Sequence, residues 1–268
     1  LLRGGAKGVE AMRALEEAFS RTKEMDRRVF LHCVAEAGSG VPELLPLFRR
    51  AMEDASDELR ALALMDILRL GLPSEEVLPL LRRAAEDASD EVRTTALQNL
   101  VAAGLPPKEV LQACERALGD ESPRPRQGAV WVLGQVAGKD PAALPLLARA
   151  LDDDDRLVHS TAAATLLRVS PESVPLVLRS MQGMETIDAV TLVESALQNA
   201  GPTAPPLVVK ALEDADPDIR EAALIALQLL NPPPTEAIPR LQSLLDDEDE
   251  GVRQAAYWAL KRLLMQEE

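Results

Sequence analysis

Arg60 and Arg93 stand 33 residues apart inside nearly the same phrase, "DASDELRALAL" over 54–64 and "DASDEVRTTAL" over 87–97. The same step reaches Arg126 and His159 going forward and Arg27 going back, and Arg220 and Arg253 resume it near the C-terminus. Between His159 and Arg220 the register shortens and Val190 fills the slot, so eight units cover nearly the whole chain. A period of this length means stacked copies of one supersecondary element, and it outranks every other signal for the fold.

Columns counted from the slot give the element. Three positions on stand Phe30, Ala63, Ala96, Ala129, Ala162, Val193, Ala223 and Ala256. Seven positions on stand Val34, Ile67, Leu100, Leu133, Leu166, Leu197, Leu227 and Leu260. Offsets of three, seven and ten share one helical face. Four positions before the slot come Ser56, Ser89, Ser122, Asp155, Thr186, Asp216 and Asp249, residue types whose side chains accept from the free N–H groups of a helix start. Pro123 and Pro217 follow at the first helical position, where a missing N–H costs nothing. A second helical stretch lies upstream of each cap, as in "SEEVLPLLRRAAED" over 74–87. Each unit therefore reads as helix A, an acidic turn, helix B and a short Gly/Pro connector such as Gly71-Leu72-Pro73. Neither helix can hide its apolar stripe within one hairpin, so the expected fold is all-α, a solenoid of about eight hairpins. One domain over 6–268 is expected, with "LLRGGAKG" as a flexible lead-in (1–5 outside the domain) and an irregular joint at 171–201.

A proline in helix A, an aspartate in the turn and an arginine in helix B recur as Pro46–Asp54–Arg60, Pro79–Asp87–Arg93, Pro206–Asp214–Arg220 and Pro239–Asp247–Arg253. The chain in this respect resembles the HEAT repeats, closest to the short bacterial HEAT-like (bilin-lyase-type) form. The fourth unit has Gln112 in the proline slot, the fifth replaces the arginine by His159, and the sixth has Pro175 one place early and Val190. The resemblance implies a right-handed α-solenoid whose helix B faces line a concave surface. The recurrent proline suggests a kink in helix A. Aspartate and arginine suit charge-assisted hydrogen bonds that clamp adjacent turns as a ladder.

Asp+Glu of 44 against Lys+Arg of 29 gives a net charge of −15, which disfavours phosphate backbones and anionic membranes as partners. Cys33 and Cys114 have no metal-type spacing and read as free thiols of a reducing, cytoplasmic compartment. The opening Leu1 suggests a fragment or processed form.

Catalytic chemistry finds little to use. The histidines are His32 and His159, in separate units. HEAT-like iron hydroxylases use His-Glu pairs, and no such dipeptide is present. HEAT-like DNA glycosylases present a basic face that this acidic chain does not promise. The run Asp152–Asp155 reads as a solvated helix start rather than a calcium loop, which needs a glycine at its sharp turn. Such turns would form an acidic ridge able to steer a basic partner. No metal or cofactor is expected.

Offsets one, five and eight should face away from the core. Offset five carries Met65, Gln98, Trp131, Ile225 and Trp258; offset eight adds Leu68, Leu167 and Gln198, and offset one adds Gln127. Both tryptophans fall in one column with sparse charge, a pattern suited to a protein or peptide partner, where Trp is enriched at hot spots. The expected function is a non-enzymatic scaffold binding along these residues. The alternatives are a bilin-lyase or chaperone-like activity using His32 and Cys33, with Cys33 expected to turn toward the core, or one structural arm of a larger protein.

Overall fold

A repeating Leu/Ala stripe on two joined helices forces each hairpin to find cover in its neighbours, and the computed structural model has that form. It describes residues 5–181, 201–230 and 234–265, with 190, 193–194 and 197–198. These divide into two compact units, Leu1–Val132 and Leu133–Glu268.

In the first unit α1 (Gly5–Arg21) pairs with α2 (Glu24–Ala37), α3 (Leu45–Ala51) with α4 (Asp57–Ile67), and α5 (Ser74–Ala84) with α6 (Asp90–Ala102). Next come α7 (Pro107–Ala117) and α8 (Pro123–Val136), and the unit boundary falls inside α8. The second unit continues with α9 (Ala143–Arg149), α10 (Arg156–Val169), α11 (Val174–Arg179), α12 (Ala204–Ala211), α13 (Pro217–Leu229), α14 (Ile238–Leu244) and α15 (Glu250–Met265). No strand occurs among the described residues. Helix α1 starts at Gly5, within the stretch expected as a lead-in. The expected cap Thr186 and the core of the expected joint lie outside the described residues, although Val190 is helical and half-buried.

Each residue choice has a local cause. The turn aspartates accept from the N–H two residues on: Asp87 Oδ1 from Ser89 at 2.9 Å, Asp247 Oδ1 from Asp249 at 2.9 Å. Cap side chains then take the next free donors, as Ser56 does from Leu59, Asp155 from Leu157 and Val158, and Asp249 from Val252. Ser89 and Ser122 depart from this expectation. Their hydroxyls donate to Asp57 and Asp90 at the start of the preceding helix B, tying consecutive hairpins together. Between hairpins the chain reverses through Gly71 and Gly104, whose φ values of 65° and 68° only glycine adopts without strain.

The helix A prolines also differ from expectation. Pro46, Pro175 and Pro239 lie in the first two residues of α3, α11 and α14, each preceded by a short 3-10 turn. A proline there loses no intrahelical bond, so the turn, and not a kink, accommodates it. Pro79 does sit inside its helix, α5.

The core follows the columns. Ala63, Ile67, Ala96 and Leu100 are buried in the first unit and Ala162, Leu166, Ala223 and Leu227 in the second. Each leucine or isoleucine so buried contributes about 1.5–3 kcal/mol relative to exposure.

Candidate functional site

The surface left to a partner depends on what covers each side of helix B, and three contacts settle that. Asn99, at offset six of α6, donates through Nδ2 to the Leu64 carbonyl at offset four of α4. Asp66, at offset six of α4, meets His32 of α2 at 3.3 Å. A Cβ on Gly134, at offset eight of α8, would stand 2.5 Å from Thr165 and 2.7 Å from Arg168 of α10. Offset six therefore faces the preceding helix B, while offsets four and eight face the following one. Offset five is left pointing outward, and offset nine shares that side with the exposed Arg69, Gln135, Arg168 and Arg262.

The expected partner residues sort accordingly. At offset five Met65 is 58% exposed, Trp131 50% and Trp258 58%; Gln98 is exposed and Ile225 half-buried. Leu68 and Gln127 are half-buried and Gln198 is exposed. Leu167 is corrected: it is 1% exposed, because offset eight lies on the side of the next hairpin, which covers Leu167 fully where it leaves Leu68 half-buried and Gln198 exposed. Trp258 is partly roofed by Lys261 Nζ, 5.0 Å above its ring, and by the edge of Tyr257 at 5.5 Å. Met65, Gln98 and Trp131 share the first unit, Gln198, Ile225 and Trp258 the second.

Beside this column runs the ladder. Arg60 grips Asp87 through Nε and Nη2 at 2.9 and 2.7 Å, and Arg93 grips Asp120 at 2.7 and 2.8 Å, each reaching the turn of the next hairpin. Arg27 reaches Asp54 and Arg220 reaches Asp247, both at 2.7 Å. The remaining nitrogen of each fork turns inward: Arg60 Nη1 donates to the carbonyls of Asp54 and Ala55 at 2.9 and 3.1 Å. Burial alone would raise the carboxyls of Asp87, Asp120 and Asp247, but the arginine and the backbone N–H overcome it and hold them below the usual range. These arginines are structural clamps rather than substrate ligands. The expected acidic ridge is correspondingly interrupted, since Glu53 also pairs with Arg83 and Asp216 with Arg179.

The remaining reactive groups do not assemble. His159, standing in the arginine slot, is buried and bonded to Ser180 Oγ at 3.1 Å. Burial lowers its pKa against the opposing pull of Asp152 and Asp153. Asp66 is held up by burial, against His32 and Arg69. Cys114 is buried and pushed up to about 12 by desolvation, inert as a nucleophile. Cys33 is exposed, contrary to the core position expected of it, because its offset-six side faces a preceding helix B and none precedes α2 among the described residues. Clefts of about 510 and 390 Å³ open beside the rungs Arg60–Asp87 and Arg93–Asp120, but charges of both signs line them. Among the described residues no group of three or more His, Cys, Asp or Glu is placed to hold a metal, and no helix is long and apolar enough to cross a membrane.

The family model for HEAT repeats matches residues 100–168 and 204–268, together half of the chain. The chain belongs to the HEAT-repeat family. No curated protein matches it. Among solved structures, Kap121p is similar over 94% of this chain, with a TM-score of 0.59 and 13% identity, and 32% of that chain is covered. Kap121p bound to the extreme C-terminus of the protein phosphatase Cdc14p gives a TM-score of 0.55 at 16% identity, covering 95% of this chain and 33% of that one. Kap95p, in a structure with RanGDP, gives 0.54 at 14% identity, covering 94% and 40%. This HEAT-repeat chain spans about a third of the length of the Kap121p structures it matches, and at such identities the likeness is one of fold.

Proposed function

We propose that this HEAT-repeat protein is a non-catalytic scaffold that holds a protein or peptide segment on its outward helix B column. In the first unit Met65, Leu68 and Trp131 supply apolar contact, with Gln98 and Gln127 as hydrogen-bonding groups. In the second, Trp258 and Ile225 do so with Gln198. The observation that carries this reading is the half-exposure of both tryptophans and Met65 at one register position, where solvated apolar area is gained back only by a partner. Kap121p, solved with the extreme C-terminus of a phosphatase, is a protein of like fold that takes such a segment. The net charge of −15 favours partners with basic segments.

The test is a titration of a captured partner against Trp131→Ala and Trp258→Ala. Loss of the anchor weakens binding by about 2 kcal/mol, roughly thirtyfold. Unchanged affinity in both variants removes the column from the binding site. A second reading, handling of a bilin-type chromophore, draws on the exposed Cys33 beside His32. It requires spectral perturbation of added bilin that Cys33→Ser abolishes.

A further inference from the structure

Four side chains on the outward side of the first unit stand around one buried carboxylate. His32 and Met65 occupy offset five of α2 and α4, and Glu36 and Arg69 occupy offset nine of the same two repeats, Arg69 in the 3-10 turn that follows α4. Asp66 lies between them at offset six, in the seam where α4 meets α2, and is 2% exposed. Its Oδ2 meets His32 Nδ1 at 3.3 Å and its Oδ1 meets Arg69 Nε at 3.1 Å, while Arg69 Nη1 pairs with Glu36. His32, by contrast, keeps half of its side chain in solvent.

An ionised carboxylate only accepts, so Asp66 fixes the proton of a neutral His32 on Nδ1, and Nε2 turns its lone pair outward. Charge points the same way. Asp66 and Glu36 share one guanidinium, so with His32 neutral the cluster carries one negative charge in excess. Burial holds the Asp66 carboxyl above the usual range in spite of His32 and Arg69, the mark of a carboxylate short of positive charge. Nothing else supplies that charge. Arg28, one turn before His32, is engaged by Glu58 of α4. The other helix packed on α2, α1, places no ion-pair partner on His32, Glu36 or Asp66 among the described residues.

We propose that this cluster is a docking point for one basic residue of the partner segment, a lysine or arginine that donates to His32 Nε2 and brings the missing positive charge to Glu36 and Asp66. The inference rests on the outward column as the binding surface and adds a polarity to the segment: a cation over α2, then apolar contact at Met65 and Trp131. Packed helices lie about 8–10 Å apart and an extended chain rises about 3.3 Å per residue, so the cation stands about three residues from the group covering Met65. A proton on His32 supplies the same charge and removes the acceptor, so docked cation and proton exclude one another. The free protein then binds more protons than the complex, and affinity falls as pH is lowered across the range in which imidazoles charge, about pH 8 to 5.

The test uses the full chain with isotope-labelled histidine, read by NMR, and octalysine as the probe. The chain has two histidines, so the buried His159, bonded to Ser180, serves as an internal control. At pH 8.0 the free protein should show His32 as the Nδ1–H tautomer; the Nε2–H tautomer would overturn the proposal. Octalysine should shift the His32 ring signals saturably and leave those of His159 in place. By anisotropy of labelled octalysine, affinity should weaken about fivefold from pH 8.0 to 5.5, and about fivefold with Glu36→Gln at pH 8.0. His32→Gln should flatten the pH dependence, and Glu172→Gln, which removes an equal exposed charge elsewhere, should change nothing. Trp131→Ala should leave octalysine affinity intact while weakening the whole partner, so failure of the column and failure of this docking point are read separately. No saturable shift at His32, equal affinity at both pH values, or indifference to Glu36→Gln overturns the proposal. Saturable binding of octaglutamate at His32 does so as well, by making the point an anion site.

Discussion

Arg60, Arg93 and Arg220 each satisfy two turns at once, their own through backbone carbonyls and the next through a carboxylate. Arg93, for instance, donates to Asp87 and Ala88 carbonyls and to both oxygens of Asp120. Removing it leaves Asp120 half-buried without its counter-charge, so Arg93→Ala should cost about 2–3 kcal/mol in urea unfolding. Asp120→Ala should cost a similar amount, and the double variant less than the sum, because both singles break the same pair. Protonation tests the same groups. The folded pKa of Asp87, Asp120 and Asp247 is depressed, so below about pH 3.9 the unfolded chain binds more protons. The ladder's contribution is therefore complete above that pH and lost as pH falls through the folded values. His159 is depressed as well, by burial, and its contribution is full above about pH 6.5 and declines below it. Urea midpoints at pH 7.5 and 5.5 should separate more for the wild type than for His159→Gln. Equal separations would mean that His159 is protonated in the folded state.

At the scale of the helix, proline position decides cost. Pro239 occupies the second residue of α14, where Pro239→Ala removes only chain stiffness and should destabilise by less than about 1 kcal/mol. Pro79 lies within α5 and blocks a backbone bond, so Pro79→Ala should stabilise by about 1 kcal/mol or more. Thermal midpoints of the two variants moving in the same direction would contradict this. The hairpins themselves, their caps at Asp155, Asp216 and Asp249, and the buried three and seven columns are legible in the sequence because helical period and capping chemistry are local. Leu167 and Cys33 depart from their expected surroundings for a shared reason. Whether offsets six and eight see solvent is decided by the neighbouring hairpin, which a single helix's periodicity does not register. A usable signal existed in Gly134 and in the buried polar residues Asp66 and Asn99, which mark the seam between consecutive B helices.

For the molecule as a whole, stacked hairpins give stability through nearest-neighbour contacts and leave the offset-five side of helix B largely to the outside. Within each unit that column carries one half-exposed tryptophan. With a net charge of −15, association with a basic partner should slow as salt rises, while dissociation changes little. Stopped-flow rates at two ionic strengths check this, and a salt-insensitive on-rate would argue for an uncharged partner segment. Because Trp131 and Trp258 are the chain's two tryptophans, its indole fluorescence reports on the proposed surface and nothing else. Acrylamide quenching of the free protein and of its complex with a tryptophan-free partner segment is the most direct measurement. The account predicts accessible indoles in the free protein and loss of quenching with a blue shift in the complex; indoles that stay equally quenchable when the partner is bound would contradict it.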